Sequence, residues 1–439
     1  MKSLCRQGIV TGTKKYWPES RRGRMMSNMK TEPEMDWSQL FASRTALMTP
    51  SALRELLKVT SRAEVISFAG GLPAAELFPV PRFKSALAAV LDQHGGKSLQ
   101  YSITEGLPEL RDWIALRFST PRLRIAHENV LITSGAQQAL SLLGRILFEK
   151  GDRVIVENPT YLALLSAWRP TGVEFMPALC DARGLRVEKC RPLMKRKPKA
   201  IYCVPNFQNP LGATMSLPRR KKLAALARAH SMAIIEDNPY GELRYSGRAL
   251  PNLLELDAPE RPGSDFSSRV IYAGTFSKVL APGLRVGWVI ASKPVIEKLA
   301  LAKQAADLQT STLNQYLALE LVRQGFLEDF IPVLRRHYGQ RRDAMLEALD
   351  RYFPKSARWT KPDGGVFLWV TLPPGADSGH LLEAALNEGV AFVPGGEFHL
   401  NGEGKNTMRL NFSNMPPARI EEGIKKLGGL LRRGVNSIS

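Results

Sequence analysis

The sequence predicts an α/β protein built on a largely parallel sheet, followed by a smaller α+β region. Three observations carry this expectation. Short β-rich apolar runs recur at 130–133, 154–156, 200–204, 233–235, 270–273 and 286–290, with amphipathic helical stretches such as 219–230 between several of them. That alternation is what a parallel sheet with crossover helices requires. A polar motif sits at the carboxyl end of successive runs, where ligands gather in such sheets. Past Asp307 the rhythm changes to long helical segments and strands set off by glycines.

Length and composition bound the reading. A chain of 439 residues, 44% of them hydrophobic, can bury a substantial core and is expected to fold as two packed subdomains. No apolar run reaches the length of a membrane span. The four cysteines (Cys5, Cys180, Cys190, Cys203) lack metal-ligand spacing and are too few for a disulfide scaffold, which fits a reducing cytoplasm and leaves no metal to expect. The net charge is +20, and residues 1–30 alone carry +7 of it. The remainder suits an anionic cofactor and carboxylate substrates, or solubility, and does not identify a nucleic-acid partner. The N-terminal stretch has no apolar signal core, and residues 1–36 are expected to be a basic, disordered tail or the product of a start upstream of Met25, Met26 or Met29.

In chain order, Pro50-Ser51 can open a helix with Leu53, Leu56 and Leu57 on one face and Arg54 away from that stripe, as a solvated helix arginine would be. Residues 66–73 form an apolar run ending in Gly70-Gly71, which permits close backbone approach to a ligand or a simple turn. Tyr101 precedes a helix at 110–118 and reads as an interface aromatic. After the run at 130–133, Ser134-Gly135-Ala136-Gln137-Gln138 opens a helix whose N-terminus is either a plain Ser134 cap or a phosphate site.

Later strand ends offer further polar groups. Tyr161 could stack on a flat heteroaromatic ring or simply be half-buried. Asn209, before Pro210, could donate to a phenolate oxygen or belong to an Asn-Pro turn. Asp237 and Tyr240 are spaced so that both could face one ring, and a carboxylate at this point could keep a pyridine nitrogen protonated. Thr275, Ser277, Lys278 and Arg285 then supply hydroxyls, an amine and a guanidinium within eleven residues. The mixture suits a Schiff base to a phosphorylated aldehyde, pyridoxal 5'-phosphate, although a lysine in such a connection is by itself most often a solvated one. Long helices at 313–322 and 330–352, strands near 366–370, 390–393 and 407–413, and a final helix at 420–431 complete the chain. Arg409 alternates with apolar neighbours, and an inward-facing cation needs an anion, whether a structural carboxylate or a substrate's.

Phe68-Ala69-Gly70-Gly71-Leu72-Pro73, Gln100-Tyr101-Ser102, Thr133-Ser134-Gly135-Ala136-Gln137-Gln138, Gln208-Asn209-Pro210, Phe276-Ser277-Lys278 and Val393-Pro394-Gly395-Gly396 occur in this order. Together they resemble the class I/II aminotransferases of fold type I, nearest to the 2-aminoadipate (LysN-like) and kynurenine aminotransferases, from about Trp37 to Leu431. The resemblance implies a mostly parallel seven-stranded sheet sandwiched by helices in a large domain at 76–325, a small domain at 326–439, and a joining segment at 37–75. It implies Lys278 as the Schiff-base lysine and proton shuttle, Asp237 at the pyridine nitrogen, Tyr240 and Asn209 at the phenolate oxygen, and Tyr161 stacked on the ring. Ala136, Gln137, Thr275, Ser277 and Arg285 would hold the phosphate, with Tyr101 reaching in from a second subunit of a homodimer. Arg409, with Gly71 and Asn209 beside it, would grip the substrate α-carboxylate, and Arg54 a distal one. Leu211 departs from the usual Asn-Pro-Thr-Gly, and Asn238-Pro239 occupies a variable stretch.

The implied activity is ping-pong transfer of an amino group from an L-amino acid (2-aminoadipate, glutamate, aromatic or branched-chain) to a 2-oxo acid such as 2-oxoglutarate. Two rivals stay open: another pyridoxal-phosphate reaction on the same fold, a β-lyase or decarboxylase, and a remnant of a MocR-type transcription regulator.

Overall fold

The structure is a computed structural model that describes residues 35–49, 64–257 and 266–435. The expected helix with Arg54, and most of the basic N-terminal stretch, lie outside the described residues. Contacts divide the chain at Ser43 into two compact units. In the first, a short turn of 3₁₀ helix at Trp37–Gln39 is capped by Asp36, whose carboxylate accepts the Ser38 N–H at 3.0 Å.

Within the second unit the strands are, in chain order, β1 (Ile66–Ser67), β2 (Val130–Thr133), β3 (Arg153–Asn158), β4 (Glu174–Asp181), β5 (Gly184–Leu185), β6 (Ala200–Cys203), β7 (Ala233–Asp237), β8 (Val270–Thr275), β9 (Gly287–Ile290), β10 (Arg358–Trp359), β11 (Phe367–Thr371), β12 (Val390–Ala391), β13 (Val393–Pro394) and β14 (Thr407–Asn411). The central sheet runs β2-β9-β8-β7-β6-β3-β4-β5. It holds the seven strands expected, with the two-residue β5 folded back on β4 as an eighth at the edge. Pairings among β4, β3, β6, β7 and β8 are parallel, whereas β9 is antiparallel to both its neighbours. Every residue of β2, β6, β8 and β9 is buried. Such unbroken apolar runs belong to strands covered on both faces.

Because β9 runs against β8 and β2, the carboxyl ends of β2, β3, β6, β7 and β8 share one edge of the sheet with the start of β9. Thr133, Asn158, Cys203, Asp237, Thr275 and Gly287 all lie at that edge. β4 was not foreseen: it alternates buried and exposed positions and contains Pro177, as a near-edge strand can.

The later chain forms a four-stranded sheet, β10-β11-β14-β13, in which Trp369 pairs with Arg409. The long helix Phe326–Tyr352 and the closing helix Pro417–Val435 pack together. β1 pairs in parallel with β12, which brings the Phe68–Leu72 segment to the strand that carries Arg409: Asn411 N–H donates to Phe68 O at 2.9 Å.

Candidate active site

The strand-end edge opens into a cavity of about 270 Å³ lined from both sheets. One end is a cradle of backbone and hydroxyl groups. The helix Ala136–Leu147 begins there with Gly135 as its cap, at φ 82°, which offers no side chain to its first-turn N–H groups. A Cβ on Gly135 would lie 2.5 Å from Arg285 Nη2, and one on Gly287 would lie 2.8 Å from Ala136 N. Both positions therefore stay bare so that Arg285 and β9 can close on the helix N-terminus. Thr275 Oγ1 accepts the Ser277 N–H at 3.1 Å and lies 2.9 Å from Ser277 Oγ, and Arg285 Nη2 donates to Ser134 O at 3.1 Å. Hydroxyls, open N–H groups and a guanidinium around one point make an anion site that suits a phosphate monoester.

The middle of the cavity is a slot between Tyr161 and the ends of β6 and β7. Asp237 is 3% exposed, and its Oδ2 accepts the Tyr202 hydroxyl at 2.7 Å. Its Oδ1 is buried with no partner among the described residues. Burial pushes this carboxyl up to about 6, against the pull of the Tyr202 hydrogen bond. A cation presented to Oδ1, such as a protonated ring nitrogen, would complete it. Tyr161 donates to Gln137 Oε1 at 3.3 Å, and burial, followed by the charge on Asp237, holds its phenol up at about 12. Tyr240 is likewise buried and held neutral, with Asn209 beside it.

Lys278 faces this slot. Its Nζ donates to Gly71 O at 2.6 Å. Burial first, then the positive charges of Arg409 and Arg285, lower it to about 8. An amine in that range is a nucleophile and proton acceptor near neutral pH.

At the far end lies Arg409, 2% exposed. Nη1 donates to Asn209 Oδ1 at 2.8 Å and Nη2 to Ala69 O, while Nε has no partner among the described residues. The Phe367 ring sits 4.1 Å from the guanidinium carbon. Among the described residues no carboxylate forms an ion pair with Arg409, so the structural salt bridge left open by the sequence is not found there. A buried cation without an anion marks a site for an anionic ligand. Gly71 completes this end: a Cβ there would fall 2.9 Å from Phe367 Cζ.

Ala136, Gln137, Tyr161, Asn209, Asp237, Tyr240, Thr275, Ser277, Lys278, Arg285, Gly71 and Arg409 thus meet in one cavity, spread over most of the chain. Tyr101 does not: it is 77% exposed and lines a separate groove with Ser98 and Gln309. Arg54 is outside the described residues. Sequence reasoning passed over Tyr202 and Phe367. Each sits inside an apolar strand, and only strand register reveals that one meets Asp237 and the other Arg409. Among the described residues no cluster of His, Cys, Asp or Glu could hold a metal ion, and no helix is long and apolar enough to cross a membrane.

Residues 64–427 match the family model described as aminotransferase class I and II. The chain is 44% identical to aromatic-amino-acid aminotransferase 1 of Thermococcus litoralis, covering 91% of this chain and 96% of that protein. It is 42% identical to 2-aminoadipate transaminase of Thermus thermophilus, covering 91% and 98%. Among solved structures it is similar to LysN, the α-aminoadipate aminotransferase of Thermus thermophilus complexed with N-(5'-phosphopyridoxyl)-L-leucine, with a TM-score of 0.84 and 40% identity over 92% of this chain and 100% of that one.

Proposed function

The chain belongs to the class I and II aminotransferases, and from that premise we propose that it moves an amino group from an L-amino acid to a 2-oxo acid, 2-oxoglutarate being the candidate acceptor, in a ping-pong cycle dependent on pyridoxal 5'-phosphate. The donor is proposed to be a 2-aminoadipate, glutamate, aromatic or branched-chain amino acid. The relatives' names and the leucine adduct cover aromatic, 2-aminoadipate and branched-chain donors. The single observation that carries the reading is Lys278, an enclosed amine lowered to about 8 in the same cavity as a buried Asp237 and an unpaired Arg409.

Pyridoxal 5'-phosphate, when bound, supplies an aldehyde that condenses with amines and a ring that draws electrons from the substrate α-carbon. Ala136, Gln137, Thr275, Ser277 and Arg285 hold the phosphate through hydroxyls, N–H groups and the guanidinium. Asp237 keeps the ring nitrogen protonated, and Tyr202 keeps Asp237 oriented. Tyr161 would hold the ring, while Tyr240 and Asn209 would supply donors to its phenolate oxygen. Arg409 orients the substrate by its α-carboxylate, so that the α-hydrogen faces Lys278. Lys278 Nζ, lowered to about 8, would serve as the base that takes the proton from the substrate α-carbon and as the acid that returns it. Arg54 is proposed to meet a distal carboxylate.

We further propose a large domain at 76–325, a small domain at 326–439 with a joining segment at 37–75, a cytoplasmic protein, and a homodimer in which Tyr101 serves the partner's phosphate site. The two rival readings are not favoured, the two relatives compared above, at 44% and 42% identity, being named for amino transfer. The deciding experiment is a half-reaction panel of amino acids with wild type and Lys278→Ala, read by coenzyme absorbance and by glutamate formed from 2-oxoglutarate. Wild type is expected to give one glutamate per donor consumed for donors other than glutamate, and Lys278→Ala to turn over at least ~1000-fold more slowly. An undiminished rate in the variant, or pyruvate and ammonia in place of glutamate, would refute the reading.

A further inference from the structure

The helix Lys293–Asp307 ends at the phosphate cradle, and its last turns carry a lysine with no exposed side-chain surface. Lys303 Nζ donates to Asp307 Oδ1 at 2.7 Å and to Gln138 Oε1 at 3.2 Å. Asp307 Oδ2 accepts the Ser134 hydroxyl at 2.9 Å and Gln138 Nε2–H at 2.5 Å, and Gln138 Oε1 accepts the Ser134 N–H at 2.7 Å. Ser134 is thus held by its amide and its hydroxyl, while its carbonyl accepts Arg285 Nη2. Lys303, Asp307 and Gln138 do not line the cavity. They reach it only through Ser134.

The chain after Asp307 is strained. Leu308 adopts φ 63° and ψ −55°, and the Gln309 N–H donates back to Asp307 O at 2.6 Å, the geometry of the rarer, strained γ-turn. Such backbone persists only where the surroundings over-determine it. Here Asp307 is anchored to Ser134 on one side. On the other, Gln309 accepts the Ser102 N–H and donates to Thr312 Oγ1 at 3.0 Å. An ordinary i,i+4 ion pair lies on a solvated helix face and costs nothing to omit. This one buries its cation entirely and delivers its anion to the residue before Gly135.

We propose that Lys303 and Asp307 form a positioning pair that fixes Ser134, and through it Gly135, Ala136 and Arg285, in the arrangement that receives the coenzyme's phosphate. The inference rests on the coenzyme assignment above. Asp307 fixes the Ser134 hydroxyl, Lys303 holds Asp307 and Gln138 in register, and the N-terminus of the helix Ala136–Leu147 keeps its approach to Arg285.

The test titrates full-length apoprotein, wild type and Asp307→Ala, with pyridoxal 5'-phosphate and with pyridoxal, which lacks the phosphate. The expected result is an approximately tenfold weaker Kd for the phosphorylated form, the worth of one charge-assisted hydrogen bond, with pyridoxal affected less than about twofold. Equal losses for both ligands, or no loss for either, overturn the proposal. Should Asp307→Ala not fold, Ser134→Ala leaves the helix Lys293–Asp307 intact and must show the same phosphate-selective loss; an unchanged ratio there overturns the proposal as well. Where both variants fold, the double variant must lose no more than Asp307→Ala alone, because the two act as one unit. A wild-type protein that takes up neither ligand would instead remove the coenzyme assignment.

Discussion

The Tyr202 hydroxyl donates to Asp237 Oδ2 at 2.7 Å, across two neighbouring parallel strands whose residues are buried at this point. The bond leaves Oδ1 as the one free acceptor on the carboxylate and sets the direction in which it faces. Tyr202→Phe removes the donor without changing the ring. Asp237 then rises above its present value of about 6, and the ring nitrogen is held less firmly. The expected cost is on the order of 1–2 kcal/mol in kcat/KM for the half-reaction, with little change in fold stability. Stopped-flow measurement of the half-reaction reads it, and an unchanged rate would show that Tyr202 does not support Asp237.

Arg409 gives a second expectation. Replacing it by Leu removes a buried cation that has no ion-pair partner among the described residues, and kcat/KM for amino acids should fall by about 100-fold. Coenzyme uptake by the same variant should be retained. Kinetics with an amino acid and with its decarboxylated amine separate the cases: only the former should lose rate.

The close approach of β9 to the phosphate cradle predicts the effect of Gly287→Ala. Its Cβ would meet Ala136 N and Gly135 C at 2.8 Å, and backbone atoms cannot swing aside. A penalty of about 1–3 kcal/mol in stability is expected, together with weaker binding of pyridoxal 5'-phosphate. Thermal melting with and without the coenzyme checks both.

Glu157 lies at the end of β3, 1% exposed, and burial pushes its carboxyl up to about 8 against hydrogen bonds from Val204 N–H and Gln208 Nε2. The folded chain holds a proton that the unfolded chain releases near 4.5. Stability from this group is therefore full below that pH and is lost as pH rises through about 8. Glu157→Gln keeps the acceptor oxygen and abolishes the titration. The Tm of the variant relative to wild type should climb as pH rises across that window; a constant difference would mean that Glu157 is not protonated in the fold.

Lys278 supplies a kinetic counterpart. With its amine lowered to about 8, the neutral, nucleophilic fraction grows about tenfold per pH unit below that value and levels off above it. Rapid mixing of apoprotein with coenzyme at a series of pH values should trace that curve. A midpoint near that of free lysine would contradict the enclosed site.

Much of the cavity was legible because its chemistry is concentrated where strands stop. Polar residues such as Asp237, Asn209 and Lys278 interrupt apolar runs, and a parallel sheet collects such interruptions at one edge. Tyr202, Phe367 and the pair Lys303–Asp307 were not legible. The first two look like packing residues until register shows which neighbour each one faces. The pair looks like a routine helix contact until the fold buries it against Ser134. β4 escaped because its alternating burial and Pro177 break the unbroken apolar pattern that marked its neighbours.

The cavity also has an order of arrival. The cradle formed by Ala136, Gln137, Thr275, Ser277 and Arg285 is encoded before β9, whereas Arg409 comes on β14, paired with β11 and β13. A ribosome emitting this chain therefore releases the proposed vitamin-binding cradle more than a hundred residues ahead of Arg409, the proposed reader of the substrate's carboxylate. Its biogenesis passes through a stage in which the proposed phosphate seat has been translated and the proposed amino-acid anchor has not.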